Sequence, residues 1–352
     1  MIVKLLSGDQ PRSVLLTLLL LVTLVCLAGA PFLFDGVRAL DTAARICIFI
    51  VLAASYDLLL GYGGIVSFAH TMFFGLGAYG VALTSSHMGR GFDALLVGSV
   101  SGAVAAIILA LLIGLFSLRV RAIFFAMITL AVASALAVLV SQFSGLTGGE
   151  DGLTYKIPRV LTSANRMGEF MGTQVSGKIL NYYLVFTAAL ILFLLLLRIV
   201  NSPFGRVLQA IRENDFRAEA IGYRVIWYRT MATCLSAAVA ALAGSLFAIW
   251  LRYVGPDTTL SFEIMLDILL MVVIGGMDTM YGAVIGATLF ILAQTYLQNL
   301  MGSASEATSA LPLVPDLLDP DRWLMWLGVL FILSVYFFPT GIVGRLRERR
   351  AS

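Results

Sequence analysis

The sequence predicts an all-α protein that crosses a membrane about ten times. The chain of 352 residues is 60% hydrophobic and only 12% charged, and its mean hydropathy is +0.97. A soluble protein of this length needs far more polar residues to cover its surface. Apolar runs of about 20 residues recur along the chain and match the hydrocarbon core of a bilayer. These runs are continuous rather than alternating, which disfavours a transmembrane β-barrel.

Ten apolar segments are predicted to form the helices of a single transmembrane domain, residues 1–352. The first segment is longer than the apolar core of a secretory signal peptide, so we expect it to be retained as a span. Nine or eleven spans are the alternatives to ten. The predicted segments are residues 14–34, 45–60, 65–86, 94–118, 122–142, 180–199, 229–251, 263–280, 283–301 and 322–340.

The distribution of Lys and Arg predicts the orientation of these spans. With ten spans, the strongly basic stretches all fall on one side, which the positive-inside rule makes the cytoplasmic side. Both termini are then cytoplasmic, and the connections 143–179 and 302–321 are extracytoplasmic. The 302–321 connection holds four acidic residues and no Lys or Arg, whereas four basic residues in 143–179 oppose the rule.

Two glycine-rich turns, Gly61–Gly64 and Gly275–Gly282, interrupt the apolar pattern without any Lys or Arg. We expect broken or re-entrant helices there, since non-helical backbone at membrane depth must be satisfied by protein or water. Transporters hold polar substrate groups at such breaks. Tight helix packing is the alternative, and it fits the small-residue pairs at 98–102 and 282–286 better. The candidates for a translocation pathway are Gly63, Gly64, Ser67, His70, Gly275 and Gly276.

Few ionisable residues lie inside the apolar segments, where they are costly and often functional. Asp57 and Asp278 are expected near an interface, and Asp267 is expected to pair with an arginine such as Arg252. For His70 the alternative to a pathway role is a neutral side chain bonded to a carbonyl, because buried polar groups are normally satisfied.

Charge is concentrated in residues 201–228, called here the charged segment. Ser202 and Pro203 suit the start of a helix. Asn214-Asp215 offers a second start, and Gly222 suits a left-handed end. The sequence therefore predicts two short helices at the membrane surface.

We expect the second of these helices to turn Phe216, Ala220 and Ile221 towards the membrane domain. Glu213 and Arg217 stand four residues apart and would pair if the helix were continuous. The charged segment has two interpretations. It is either a solvated loop that obeys the positive-inside rule or a docking element for a cytoplasmic partner.

The charged segment contains the sequence RAEAIGY (217–223), which resembles the coupling motif of bacterial ABC importer permeases. Four motifs together resemble the LivM-type permease family of branched-chain amino acid importers, over about residues 40 to 340. In order, they are YDLLLGYGGIVSFAHTMFFGLGAYG (56–80), LTGGEDGL (146–153), IRENDFRAEAIGY (211–223) and MVVIGGMDTMYGAVIGA (271–287). The downstream half of the coupling motif departs from the family, since Tyr223-Arg224-Val225-Ile226 follow the glycine.

The resemblance implies a subunit of a multi-part importer in a bacterial inner membrane, in contact with lipid and not with nucleic acid. The chain would pair with a second, related permease, two cytoplasmic ABC ATPases and an extracytoplasmic substrate-binding protein. ATP and magnesium would bind the ATPases, with no cofactor on this chain, and transport would proceed by alternating access. Implied substrates are branched-chain or other small amino acids, or related amides and small organic acids. The docking contacts would be Arg212, Glu213, Asn214, Arg217, Ala218, Glu219, Ala220 and Gly222.

Two rival classes are considered beside this resemblance. An ion-coupled secondary transporter or channel predicts more intramembrane charge and needs no charged docking segment. An intramembrane enzyme is disfavoured, because the chain has two histidines and shows neither paired carboxylates nor a Cys/His ligand cluster. The three cysteines lie inside apolar segments, which favours packing over disulfides or metal binding.

Overall fold

The computed structural model describes residues 14–33, 36–117, 122–163, 165–170, 173–307, 319, 322–337 and 341–348. The helices are α1 (Val14–Leu33), α2 (Val37–Asp57), α3 (His70–Met88), α4 (Phe92–Ser117), α5 (Ala122–Gln142), α6 (Ser144–Thr147), α7 (Gly177–Val200), α8 (Pro203–Glu213), α9 (Asp215–Ala220), α10 (Val225–Leu251), α11 (Pro256–Thr259), α12 (Phe262–Gly275), α13 (Met280–Ala307), α14 (Trp323–Phe337) and α15 (Gly341–Glu348). The short strands are β1 (Leu153–Thr154), β2 (Arg166–Phe170), β3 (Thr173–Ser176) and β4 (Tyr253–Val254).

Every one of the ten predicted apolar segments coincides with a long helix. Within the described residues, eight helices are long and apolar enough to cross a membrane. The other two are α3, which ends in a polar stretch, and α14, whose described 15 residues extend only about 22 Å. The predicted polytopic all-α membrane fold is confirmed, and the count of ten stands as an approximation.

The core of the bundle centres on α10, which packs closely on α2, α3 and α4, and α3 and α4 also pack closely on each other. Glycine makes this approach possible. A Cβ atom on Gly77 of α3 would lie 1.7 Å from the carbonyl oxygen of Ala241 in α10, so no larger residue fits without separating the helices. Gly98 and Gly102 of α4 meet the backbone of α3 in the same way, which confirms the packing interpretation of that pair.

Several outer helices expose large apolar side chains rather than polar ones. In α1, for example, Leu18 and Leu21 are both 58% exposed, and in α5 Met127 is 62% exposed. Lipid tails are as apolar as leucine, so such faces are stable in a bilayer, whereas in water they would promote aggregation.

Both glycine-rich turns are breaks between helices, as predicted. Helix α2 continues into a π-helical turn, Leu58–Tyr62, and α3 begins only at His70. Helix α12 ends at Gly275, and α13 begins at Met280. The two breaks lie side by side, because the backbone N–H of Asp278 donates to Oδ1 of Asp57 at 3.1 Å. Helices that are distant in sequence thus end at one place, at the end of the bundle that also carries the charged segment.

The opposite end of the bundle carries the connection between α5 and α7. Its strand β1 pairs antiparallel with β4, with Leu153 opposite Val254, and β2 pairs with β3 as a hairpin. The Tyr155 hydroxyl donates to the Ala248 carbonyl at 2.6 Å, and burial raises the pKa of this phenol. The connection is therefore fastened to the end of α10. Most of the 302–321 connection lies outside the described residues.

Candidate functional site: the charged segment and the junction beneath it

The charged segment begins as predicted with Pro203 in the first turn of α8. Ser202 stands at the cap position, but its side chain makes no capping bond, so that part of the prediction is wrong. The Ser202 hydroxyl donates instead to the Ile199 carbonyl at 2.6 Å. This bond satisfies the end of α7 rather than the start of α8, because both helix ends compete for one short side chain.

Asn214 separates the two short helices. Its backbone is extended, with φ −160° and ψ 100°, and its side-chain oxygen accepts from the Arg217 backbone N–H at 2.8 Å. This capping bond confirms the predicted start of α9. Because the helix is broken there, Glu213 and Arg217 do not stack on a continuous helix. Asp215 instead pairs with Arg229, with 3.6 Å between the carboxylate oxygen and the guanidinium nitrogen.

Gly222 ends α9 in the left-handed conformation, with φ 101°. Its N–H donates to the Glu219 carbonyl at 2.9 Å, and the Tyr223 N–H donates to the Ala218 carbonyl at 3.1 Å. These two bonds form a Schellman motif, which glycine favours because it has no Cβ. The predicted end of the helix is confirmed.

The predicted facing of α9 is wrong. Ala218, only 4% exposed, packs against Ile211 and Val225, whereas Phe216 is 80% and Ile221 is 72% exposed. Ala220 is exposed as well. The helical period does place residues 216, 220 and 221 on one face, as the sequence indicated. That face points away from the bundle, because the opposite face, with the small Ala218, packs against Ile211 and Val225.

Two side chains of α8, Arg212 and Gln209, connect the charged segment to the two helix breaks. Nη1 of Arg212 lies 3.1 Å from Oδ2 of Asp278, between α12 and α13, and it also donates to the Gly61 carbonyl at the end of α2. Gln209 donates to Oδ1 of the same aspartate at 3.3 Å. One guanidinium group thus links the charged segment to both breaks.

We call this set of side chains and backbone the junction: Asp57, Gly61, Gln209, Arg212 and Asp278. Asp57 is completely buried and accepts from the Asp278 N–H. Asp278 has φ 66°, a left-handed conformation that Asp tolerates better than most residues. The sequence indicated each of these ionisable residues separately. It did not indicate that Arg212 meets Asp278, since no local periodicity relates them.

Comparison with known proteins decides the family. Residues 38–335 match the family described as branched-chain amino acid transport system / permease component. The chain belongs to this family. The permease is 26% identical over 349 residues to LivM, the high-affinity branched-chain amino acid transport system permease protein of Salmonella typhimurium. This match covers 94% of the chain and 76% of the relative.

Two further relatives agree with this assignment. LivM of Escherichia coli is 27% identical over 347 residues, covering 94% of the permease and 76% of the relative. A probable LivM of Methanocaldococcus jannaschii is 24% identical over 297 residues, covering 81% of each chain. No solved structure matches the permease. The family resemblance drawn from the four motifs is confirmed.

The six pathway candidates of the permease fall into two groups. Gly63 and Gly64 lie in the first break, where a Cβ on Gly64 would sit 3.0 Å from Cγ of Arg212. Gly275 and Gly276 pack against Gly282 of α13. Close contact between helices is therefore sufficient to account for glycine at these two positions. A role in a pathway stays a prediction for all four.

The other two candidates, Ser67 and His70, are buried inside the permease. Nε2 of His70 lies 2.8 Å from the Ser55 hydroxyl, and this hydroxyl donates to the Leu52 carbonyl at 2.8 Å. Tyr56 packs edge-on against the imidazole. In the described part of the permease, no group of His, Cys, Asp and Glu side chains is arranged to hold a metal ion.

Proposed function

We propose that this permease is the membrane-spanning subunit of an ATP-driven ABC importer that moves branched-chain or other small amino acids inward by alternating access. The exposed apolar face of α9 carries the proposal. Phe216 is 80% exposed and Ile221 is 72% exposed. Both lie at the end of the bundle that also holds the junction. The names of the relatives, permeases for branched-chain amino acids, support the substrate class.

The proposal assigns α8 and α9 as the surface on which a cytoplasmic ATPase docks. Aromatic and aliphatic side chains that are exposed in one subunit are typical anchors of an interface. The predicted polar contacts Glu213, Arg217 and Glu219 are exposed around them, whereas Ala218 supports the helix from beneath. ATP and magnesium bind the ATPases. A second permease and a substrate-binding protein complete the importer.

The junction supplies a physical route from docking to transport. Closure of the ATPases displaces α8 and α9, and the Arg212–Asp278 ion pair passes that displacement to the ends of α2, α12 and α13. Helices are rigid over their length, so a shift at these ends moves the apolar spans as bodies. This is the step that converts ATP binding into a change of access.

Co-purification from native membranes tests the assembly. We expect the tagged permease to bring down a second permease and ABC ATPases. We expect this complex, reconstituted together with its substrate-binding protein, to take up leucine only with ATP. Recovery of the chain without ATPases, together with leucine uptake that follows an ion gradient, would show a secondary transporter and refute the proposal.

The proposed orientation has the charged segment in the cytoplasm. Single cysteines at two exposed positions test it: Phe216→Cys in α9, which replaces an 80% exposed side chain, and Met88→Cys at the end of α3, where the side chain is 57% exposed. In intact cells we expect a membrane-impermeant maleimide to label position 88 and not position 216. Both assays use cells that express the permease without ABC ATPases, so that no docked partner covers position 216. Permeabilised cells provide the control, since both positions then react. Labelling of 216 but not 88 in intact cells would invert the topology.

A further inference from the structure

A polar cavity of about 630 Å³ lies at the end of the bundle opposite the charged segment. It is framed by α2, α7, α10, α12 and α13. Its volume is in the range of small-molecule sites. Its ionisable lining residues are the basic Arg45, Lys178 and Arg252 and the acidic Asp41, Asp257, Glu263 and Asp267. Three basic against four acidic side chains leave the cavity close to neutral.

The cavity reaches into the membrane-spanning part of the chain. Arg45 lies eight residues after the start of α2, which is about 12 Å along the helix, and Asp267 lies five residues after the start of α12, about 8 Å. Charged side chains at such depth are costly and usually serve substrate binding or transport. Their position within the spans therefore indicates a function in binding or transport.

One pair of charges in the cavity forms an ion pair. Nζ of Lys178 lies 2.9 Å from Oδ1 of Asp41 and 5.4 Å from the centre of the Trp250 ring. The Asp267–Arg252 ion pair that the sequence predicted is not formed. Both side chains line the cavity, but the ion pairs of the described residues do not include one between them.

The two deeper charges, Arg45 and Asp267, line the same cavity and do not form an ion pair with each other. Arg45 and Asp267 attract each other electrostatically, yet neither takes part in an ion pair among the described residues. Asp41 also attracts Arg45, and Gln294 forms a side-chain hydrogen bond with Asp267. Nε of Arg45 is buried and has no hydrogen-bond partner. A cation and an anion held apart in a cavity are complementary to a ligand that carries both charges on neighbouring atoms.

We propose that this cavity is a transient binding site for the zwitterionic head of an α-amino acid on its way through the permease. Arg45 binds the α-carboxylate with its guanidinium fork, and Asp267 binds the α-ammonium group. Phe49, Phe247 and Ile264 line the same cavity and contact an aliphatic side chain. The inference rests on the proposed importer function and adds to it the place and the chemistry of a substrate site.

The test uses the purified complex of the permease with its native partners, in nanodiscs, without nucleotide and without the binding protein. The cavity residue Ile264 is replaced by cysteine, and the rate of maleimide labelling at that position is followed by mass spectrometry. We expect leucine to slow this labelling. Leucinamide lacks the carboxylate and 4-methylpentanoate lacks the ammonium group. We expect each to require about tenfold or higher concentration, the usual loss when one charge-assisted contact is removed.

Variants assign the two charges. In the Ile264→Cys background, Arg45→Gln is expected to abolish the preference for leucine over leucinamide. Asp267→Asn is expected to abolish the preference for leucine over 4-methylpentanoate. Arg45→Lys keeps the charge and is expected to keep the preference in weaker form. The control Arg38→Gln removes an exposed charge seven residues earlier on the same helix and is expected to change nothing.

Co-purification of the ATPases with each variant shows that it has folded. Unaltered leucine protection in folded Arg45→Gln and Asp267→Asn complexes would overturn the site and leave the importer function intact. Equal protection by all three compounds in the Ile264→Cys complex with Arg45 and Asp267 intact would also overturn it. Failure of the proposed function is a different result, namely a complex without ATPases.

Discussion

Replacing Phe216 and Ile221 together by aspartate is expected to release the ATPases from the permease and to reduce leucine uptake about 100-fold. Both side chains are exposed in the chain, so folding should be little affected, since surface substitutions rarely change stability by more than about 0.5 kcal/mol. Anchors of an interface contribute about 2 kcal/mol or more each, and 1.4 kcal/mol corresponds to tenfold in affinity. The measurement is the amount of ATPase that co-purifies with the variant, with uptake as the second readout.

The matched control for this prediction is Leu146→Asp. Leu146 is 55% exposed and lies at the opposite end of the bundle, in α6. We expect this variant to retain its ATPases in full. The conservative Phe216→Leu should retain most of the binding. If the double aspartate variant kept its ATPases, the exposed face of α9 would not be a docking surface.

Arg212→Met is expected to leave the ATPases bound while leucine uptake falls at least about tenfold. The substitution keeps most of the side-chain volume but leaves Asp278 beside Asp57 without its cation. A hydrogen bond to a charged group contributes about 1.5–3 kcal/mol. Because the Arg212 and Asp278 side chains are 37% and 40% exposed, screening by water favours the lower end of that range. ATP hydrolysis should continue without coupled transport.

Two companion variants make this prediction specific. Asp278→Asn removes the charge and preserves a residue that tolerates the left-handed backbone at φ 66°, so it should also uncouple transport. Arg198→Met removes an exposed arginine from the last turn of α7, outside the docking helices, and should transport normally. Normal uptake by Arg212→Met, measured beside ATP hydrolysis in proteoliposomes, would show that the junction only supports the fold.

Local features of the chain could be predicted because a few neighbouring residues decide them. Asn214 and Gly222 are examples: one side-chain oxygen caps α9, and one residue without a Cβ ends it. Apolar run length predicted the helices in the same way. The prediction that Ser202 caps α8 was wrong, because its hydroxyl donates instead to the carbonyl of Ile199 on the preceding helix. Local sequence does not show which of the two helix ends the hydroxyl satisfies.

The sequence predicted which residues belong to the candidate site but not how they contact one another. The sequence placed Arg212 in a charged segment and Asp278 beside a glycine-rich turn, but not in contact. For α9 it grouped Phe216, Ala220 and Ile221 on one face and assigned that face to the wrong side. Apolarity distinguishes inside from outside poorly in such a protein, because lipid, a partner subunit and the protein interior are all apolar surroundings.

By itself, then, the sequence determined the membrane-spanning all-α class, the two breaks, the two short helices and the family, since each depends on composition, on short-range backbone chemistry or on ordered motifs. Only the tertiary structure decided which face of α9 is free, that Arg212 joins both breaks, and that Arg45 and Asp267 share a cavity. These contacts depend on how helices distant in the chain pack against one another. Glycines such as Gly77 set that packing through backbone contacts across the bundle, and local periodicity does not encode them.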